Sequence, residues 1–403
     1  METVAQALPS AAPPILRDIE NEISIVMPCL NEADTLEACI SKAQRAIREH
    51  AISAEIIVAD NGSTDGSIAI AERLGARVVN VRERGYGNAL MGGIAAARGK
   101  YILMGDADDS YDFGDAPRFL KALREGNDLV QGCRLPAGGG TVKPGAMPFL
   151  HRWLGNPLFT QMVRTMFDAP IHDVYCGMRA FTKEHYQRLN LRCTGMEFAT
   201  EMVIRSAMIK ARIAEIPITL HPDGRKSHPP HLKTFRDGWR TLRFLLLYSP
   251  KWLFFTPGLA LMLIGAIGYA LAIPGVRVGR ATLDAHTLLV STLFILVGYQ
   301  AVIFAVSTAV FGTRAGLLPE SERLNKGFEF FTIERGIFLG LAMSGIGIAL
   351  LLFAVYQWWA VDFGRLDYAK TMRWVIPGTL FTALGAQTVF SSFFISILGM
   401  KRR

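Results

Sequence analysis

The apolar positions between residues 21 and 134 switch repeatedly between unbroken short runs and a helical period. Runs at 23–27, 55–59, 77–81 and 101–105 read as buried strands, and helical spacing over 35–50, 67–74 and 87–97 fills the gaps between them. Such alternation predicts a doubly wound α/β domain. Residues 128–134 read as a fifth strand, 137–145 as a glycine-rich mobile loop, and Gly195-Met196-Glu197-Phe198 as the opening of a helix reaching residue 210. Beyond residue 250 the period is lost. The stretches 252–273, 287–311, 336–356 and 374–398 contain no Asp, Glu, Lys or Arg, and each is long enough to cross a hydrocarbon core of about 30 Å as a helix. The chain is therefore divided into a tail at 1–20, an α/β domain at 21–230, an amphipathic segment at 231–250 and an all-α membrane domain of four transmembrane helices at 251–403.

The amphipathic segment places Phe235, Trp239, Leu242 and Leu246 on one helical face with arginines beside it, the pattern of a helix lying on anionic lipid. Basic residues set the orientation. Arg225, Lys226, Lys233, Arg236, Arg240, Arg243 and Lys251 precede the first span; Arg314, Arg323, Lys326 and Arg335 lie between the second and third; Lys401, Arg402 and Arg403 close the chain. The two remaining loops carry Arg277 and Arg280, and Arg365, Lys370 and Arg373. Positive charge inside then puts the α/β domain and both termini in the cytoplasm, as a multi-pass protein of the cytoplasmic (inner) membrane. The net charge of +8 belongs largely to this membrane-facing belt, so nucleic acid is not needed as a partner. The first 14 residues read as a disordered Pro/Ala-rich tail, not a signal peptide. Five cysteines without a Cys-x-x-Cys pair fit reduced thiols and no structural zinc. A homo-oligomer is compatible with the pattern.

Candidate chemistry gathers at the strand ends. Pro28-Cys29-Leu30-Asn31-Glu32 follows the first strand, Asp60-Asn61-Gly62-Ser63-Thr64-Asp65-Gly66 the second, and Asp106-Ala107-Asp108-Asp109-Ser110 the fourth. Open α/β sheets bind ligands at that edge. Two carboxylates one residue apart on a turn suit Mg²⁺ or Mn²⁺, whose remaining positions go to phosphates and water. Gly85 and Gly87 either let backbone approach a nucleotide or simply make a turn and a helix start. Gly85-Tyr86-Gly87-Asn88-Ala89-Leu90 breaks the dinucleotide fingerprint, which disfavours hydride transfer.

Over residues 22–217 these motifs resemble the inverting family 2 glycosyltransferases of GT-A fold, and among them the polyprenyl-phosphate sugar synthases of the dolichyl-phosphate mannose synthase type. The resemblance assigns Pro28, Asn31, Glu32, Asp60 and Asp65 to the nucleotide, with Gly85 and Gly87 in the glycine loop. Asp106 and Asp108 inherit the metal and diphosphate, with Ser110 as a further polar residue near the metal. Arg134 and Arg152 match two arginines of the acceptor side, and Asn156 stands one helical turn beyond Arg152. Asp173-Val174-Tyr175-Cys176-Gly177-Met178-Arg179-Ala180-Phe181 matches the family's Asp-x-x-x-Gly-Phe-Arg-x-Phe with Met178 for Phe, making Asp173 and Arg179 candidates for sugar or phosphate. Glu197 and Glu201 lie one turn apart, where either can take sugar hydroxyls or both can be helix surface. Arg225 and Ser227 match a juxtamembrane segment loosely.

The implied activity is transfer of a hexose from a UDP- or GDP-sugar to a polyprenyl (undecaprenyl or dolichyl) phosphate. A phosphate monoester is already anionic at neutral pH, with a second pKa of about 6, so its attack on the anomeric carbon needs no general base. Transfer to a hydroxyl would need one, with Asp173 or Glu197 as fallback candidates. Gln161-Met162-Val163-Arg164-Thr165 lacks the Trp of processive polysaccharide synthases and reads as helix surface. A transferase acting on another lipid, or a catalytically silent scaffold or flippase partner, are the alternatives.

Overall fold

The computed structural model describes residues 21–226, 234–319 and 332–400. The tail at 1–20, Ser227, Lys233, Arg323, Lys326 and the basic residues 401–403 lie outside the described residues, as does the side chain of Phe235. The chain forms two compact units, Met1–Leu242 and Arg243–Arg403.

In the first unit, strands β1 (Ile23–Cys29), β2 (Ala54–Asp60), β3 (Arg77–Asn80) and β4 (Tyr101–Met104) are parallel, joined through helices α1 (Leu36–Glu49), α2 (Ser67–Arg73) and α3 (Tyr86–Ala96). Their near-continuous apolar character follows from burial on both faces. Ile23, Ile25 and Met27 join a core with Leu36, Cys39, Ile40 and Ala43 of α1. On the other face α3 comes so close that a Cβ on Gly93 would lie 2.6 Å from Val26 and 3.0 Å from Ala59. Helix α4 (Ala116–Arg124) leads to β5 (Leu129–Cys133), and two short strands, β6 (Thr141–Val142) and β9 (Thr219–Leu220), pair with each other. Helices α5 (Asn156–Phe167), α6 (Lys183–Leu189) and α7 (Glu197–Met208) complete the domain with β7 (Arg179–Thr182) and β8 (Ile213–Pro217). The sheet order is β3-β2-β1-β4-β7-β5-β8. Strand β7 runs antiparallel between β4 and β5, through pairs such as Leu103 with Ala180 and Val130 with Ala180. The expected doubly wound sheet is thus a mixed one: β7 and β8 were not anticipated, because four residues around Ala180 are too few to show a period.

Helix α8 (Thr234–Tyr248) follows. In the second unit, a π-helical turn at Lys251–Phe255 leads into α9 (Thr256–Ala272), and α10 (Ala285–Arg314), α11 (Ile333–Trp359) and α12 (Tyr368–Gly399) follow. All are long and apolar enough to span a membrane, and each overlaps a stretch expected to do so. Because lipid offers no hydrophobic drive between helices, contact rests on close backbone approach and interhelical hydrogen bonds. A Cβ on Gly340 would stand 2.7 Å from the Gly385 carbonyl, and one on Gly258 2.7 Å from that of Gly298. The Tyr299 and Thr388 hydroxyls meet at 2.6 Å.

Candidate active site

Strand β4 ends at Met104, and the turn after it carries Asp106 and Asp108, both partly buried. The Tyr86 hydroxyl donates to Asp106 Oδ1 at 2.8 Å. Gly177 leaves room on the opposite side, since a Cβ there would lie 2.5 Å from Asp106 Oδ2. Asp108 Oδ1 accepts from the Ser110 hydroxyl at 2.6 Å and the Ser110 N–H at 3.1 Å. Asp109 turns away through φ +63° to pair with Lys42 at 2.8 Å. Burial first, and then the adjacent charge of Asp108, push the Asp106 carboxyl up to about 6, against the pull of the Tyr86 hydrogen bond. Two carboxylates one residue apart in a partly dry turn, the first raised by the charge of the second, fit a divalent cation with a preference for oxygen. Among the described residues no three His, Cys, Asp or Glu side chains gather as a metal site of their own. Mg²⁺ or Mn²⁺ here would therefore draw on Asp106, Asp108 and the oxygens of a bound substrate, while Ser110 serves to orient Asp108.

The loops after β1 and β2 are knitted together beside this turn. Asn31, at φ +60°, donates its N–H to the Ser63 hydroxyl at 2.9 Å, and its side-chain oxygen accepts the Thr64 N–H at 2.8 Å. The Glu32 N–H donates to Ser67, and Asp65 accepts from Ala33 and Ser67. Asp60, 2 % exposed, spends its carboxylate on the Gly62 and Ser63 N–H groups. Pro28 is the partly buried residue before the end of β1. Thr35 ties the first loop to the acidic turn by donating to the Ala107 carbonyl at 2.7 Å. These residues converge as expected, but Asp60 and Asp65 also hold the loop shape that a nucleotide would meet. For the glycine loop the structure gives a physical reason other than nucleotide approach. A Cβ on Gly85 would stand 2.5 Å from the Thr194 carbonyl, and one on Gly87 would run into Cys193 and Thr194. Both glycines thus admit the chain's own 193–194 backbone, and Asn61 Oδ1 holds the Gly85 N–H at 2.7 Å.

Arg225, expected among the acceptor or sugar residues, is held beside the acidic turn. Its guanidinium grips Glu32 with two bonds of 2.8 and 2.6 Å, Asp223 at 2.8 Å, and reaches to 3.4 Å from Asp108 Oδ2. The strand of chain carrying it is pinned to the acidic turn by His221 N–H on the Ser110 carbonyl and Gly224 N–H on the Asp108 carbonyl. Arg225 therefore joins the loop after β1 to the acidic turn.

The expected acceptor and sugar residues divide in two. Arg134 forms a forked pair with Asp173, Nε to Oδ2 at 2.7 Å and Nη2 to Oδ1 at 2.9 Å, with side-chain exposures of 9 % and 0 %. Burial opposes the Arg134 charge, yet Asp173 holds its pKa above the usual arginine range. Nη1 lies 3.3 Å from the Tyr111 hydroxyl, which also takes the Gly177 N–H at 2.8 Å. Arg179 is completely buried and donates to the Ala199 and Cys176 carbonyls. Asp173 and Arg179, expected at sugar or phosphate, are instead struts behind the site. Their donors and acceptors close the ends of β5 and β7, where an unpaired buried charge would be costly. Glu201 is likewise buried, accepting from the Arg192 and Cys193 N–H groups and from Arg205 Nε. Arg152, in the π-helical turn His151–Gly155, is partly exposed. Its guanidinium lies 5.3 Å from the Trp153 ring centre, and its Nε has no hydrogen-bond partner among the described residues. Asn156 follows, with its amide 3.4 Å from the Met147 sulfur. Glu197, with 19 % of its side chain exposed, lies 4.0 Å from Arg240.

Residues 24–189 match the family model "Glycosyl transferase family 2", and 306–399 match "Glycosyltransferase family 2 C-terminal transmembrane region". The low-salt glycan biosynthesis hexosyltransferase Agl6 of Haloferax volcanii is 35 % identical over 384 residues, covering 95 % of this chain and 90 % of that protein. The chain belongs to glycosyltransferase family 2. A second protein of Haloferax volcanii, a dolichyl-phosphate hexose transferase, is 32 % identical to this glycosyltransferase over 199 residues, 49 % of this chain and 82 % of that one. Among solved structures, glucosyl-3-phosphoglycerate synthase from Mycobacterium tuberculosis with Mn²⁺, UDP and glucosyl-3-phosphoglycerate is 22 % identical, with a TM-score of 0.42 over 59 % of this chain and 84 % of that chain. The glycosyltransferase is a membrane protein with an α/β domain of GT-A type followed by four candidate transmembrane helices.

Reading the strand ends alone overlooked three residues of this glycosyltransferase's site. Tyr86 sits inside the glycine loop and looks like a spacer, yet it is the hydroxyl that orients Asp106. Tyr111 follows the acidic turn by one residue and joins Gly177 to Arg134. Gly177 had a signal of its own: a glycine between Cys176 and Met178, where a strand is beginning, marks a close approach.

Proposed function

We propose that the glycosyltransferase moves a hexose from a UDP- or GDP-sugar to a polyprenyl phosphate at the cytoplasmic face of the membrane, inverting the anomeric centre. Support for the donor half comes from the partly buried acidic turn after β4, bordered by Asn31, Glu32, Asp60 and Asp65, with Arg225 bound to Glu32 on the same edge. A divalent cation, when bound, neutralises charge growing on the departing diphosphate. Asp106 and Asp108 would hold it, Tyr86 and Ser110 fix their rotamers, and Arg225 adds a second positive group along the same edge.

The observation that carries the acceptor reading concerns the carboxylates. Of the three that could remove a proton from a hydroxyl acceptor, Asp173 is locked on Arg134 and Glu201 on Arg205 and two backbone N–H groups. Only Glu197 keeps an accessible side chain. A phosphate acceptor needs none of them, and the planar guanidinium of the partly exposed Arg152 suits such an anion. The basic flanks support placing the α/β domain and both termini on the cytoplasmic side.

The test is transfer of radiolabelled hexose by full-length protein in membranes, with a panel of UDP- and GDP-sugars and undecaprenyl phosphate, comparing the native chain with Glu197→Gln. The phosphate reading expects a lipid-linked sugar and no more than a few-fold loss in Glu197→Gln. A loss of three orders of magnitude or more, the scale of a missing general base, would favour the second reading, transfer to the hydroxyl of another lipid.

A further inference from the structure

The second and fourth spans each carry one carboxamide at mid-depth. Gln300 stands next to the middle of the charge-free stretch 287–311, and Gln387 next to the middle of 374–398. Both line one groove of about 250 Å³ between α10 and α12, with Ser307 and Ser391 further along it. The lining positions step by three and four along each helix, 300, 303, 304 and 307 on α10 and 387, 390, 391 and 394 on α12, so a single face of each helix forms the groove. Phe304 and Phe390 are exposed beside the polar positions, but a phenylalanine facing acyl chains needs no explanation. The polar groups do.

Next to them the two helices are hydrogen-bonded. The Tyr299 and Thr388 hydroxyls bond each other, Thr388 donates to the Leu384 carbonyl, and Ser392 donates to that of Thr388. Gln387 Oε1 and the hydroxyl of Ser307, a residue only 5 % exposed, have no partner among the described residues. In hydrocarbon no water makes good that loss, and each unbonded polar group is costly. The groove therefore suits an occupant that brings donors and acceptors to the middle of the bilayer.

Depth decides which occupant that is. An acyl or isoprenoid tail carries no donor, and phosphate headgroups lie about 15 Å from the midplane of a hydrocarbon core ~30 Å thick. A helix of another protein meets the need only if it happens to carry a polar residue at that level. A second copy of this chain carries one by symmetry, because rotation about the membrane normal leaves every residue at its own depth. A carboxamide is also self-complementary: its N–H donates to the oxygen of another, and a half-turn about its last torsion brings either end to the groove.

We propose that two copies of the chain pack side by side in the bilayer through these faces of α10 and α12, with the Gln300 and Gln387 carboxamides hydrogen-bonded across the two-fold axis and the phenylalanines packed around them. This pairing is independent of the transfer reaction and holds whichever acceptor takes the sugar.

The experiment uses no sugar donor, so its outcome is separate from that of the proposed reaction. Full-length protein with a donor or an acceptor fluorophore on a C-terminal fusion is mixed in liposomes of phosphatidylethanolamine and phosphatidylglycerol, and energy transfer is followed as lipid is added. The double variant Gln300→Leu with Gln387→Leu should need at least about tenfold more protein per lipid for half-association, the scale of a few membrane-buried hydrogen bonds. Phe338→Leu, at an exposed position on α11, should leave the curve in place. Separately, Ser391→Cys in a Cys193→Ser background, where the remaining cysteines are buried, should give a disulfide-linked dimer on mild oxidation in membranes, while Phe338→Cys should not. That variant keeps both glutamines and so reads the contact even where the double variant fails to fold. Energy transfer unchanged by the double variant would overturn the proposal, and so would native protein that is monomeric at every dilution. A lipid retained by monomeric native protein and lost from the double variant, seen by native mass spectrometry, would give the groove to that lipid instead.

Discussion

Replacing Asp106 by Asn should stabilise the cation-free protein while removing its response to cation. Burial and the charge of Asp108 raise the Asp106 carboxyl from its ordinary 3.8 to about 6. At roughly 1.4 kcal/mol per unit, ionising it in the folded state costs about 3 kcal/mol more than in the unfolded chain. The sign follows directly: with the folded value above the unfolded one, stability contributed by this group is present below pH ~4 and is lost as pH rises through about 6. Asn keeps an oxygen for the Tyr86 hydroxyl but carries no charge, so it recovers up to ~3 kcal/mol at pH 7.5. Water on the open side of the turn will reduce that figure. For a domain of this size ~1 kcal/mol moves the midpoint by roughly 2–4 °C, and the expected gain is therefore several degrees, up to about 10 °C. Thermal unfolding followed by tryptophan fluorescence, in EDTA and in excess Mn²⁺, measures it. Asp106→Asn should unfold later than native protein in EDTA at pH 7.5, the gap should close near pH 4, and Mn²⁺ should stabilise only the native protein. An earlier midpoint for the variant, or a Mn²⁺ shift that survives it, would refute both the strained carboxylate and the cation site.

Arg134→Ala should destabilise by about 3–5 kcal/mol, because Asp173 is left charged and buried, and Arg134→Met with Asp173→Leu should recover most of it; unfolding midpoints of the native protein and the two variants decide. Arg152→Ala should leave the midpoint within ~1 kcal/mol, since the side chain is partly exposed and makes no ion pair among the described residues, while raising the apparent Michaelis constant for lipid phosphate about tenfold or more through lost charge-assisted bonds of ~1.5–3 kcal/mol. Gly87→Ala should cost roughly 1–3 kcal/mol by overpacking against Cys193 and Thr194; a variant that is fully stable but weak for nucleotide would return this glycine to the donor site. Reporter tags at the two ends of the chain should both be cytoplasmic, and a tag on the far side at one end would mean an odd number of crossings.

What was legible in the sequence depended on whether a residue's role is local. Strands β1, β2 and β4 and their parallel order could be read because burial on both faces demands unbroken apolar runs, and Asp106 and Asp108 stood out because the run before them ends in charge. The spans were legible by length and the absence of charge alone. Strand β7 was not, because its four residues owe their extended form to β4 and β5 on either side. The roles of Arg134, Asp173, Arg179 and Glu201 were not legible either. A motif shows that an arginine and an aspartate are needed, but whether they face solvent or each other depends on tertiary packing across 39 residues of sequence.

That distinction bears on what the Asp173 to Phe181 segment is for. Gly177 has no side chain because Asp106 and Tyr111 occupy the space; the Gly177 N–H is bonded to Tyr111; Tyr111 touches Arg134; and Arg134 is locked on Asp173. The run therefore acts as one rigid wall behind the acidic turn. It backs Asp106 on the side away from Tyr86, so that the carboxylate stays in the acidic turn beside Asp108, where a cation would be held. Removing Arg134 should then weaken cation binding at a distance as well as stability, without Arg134 touching any substrate.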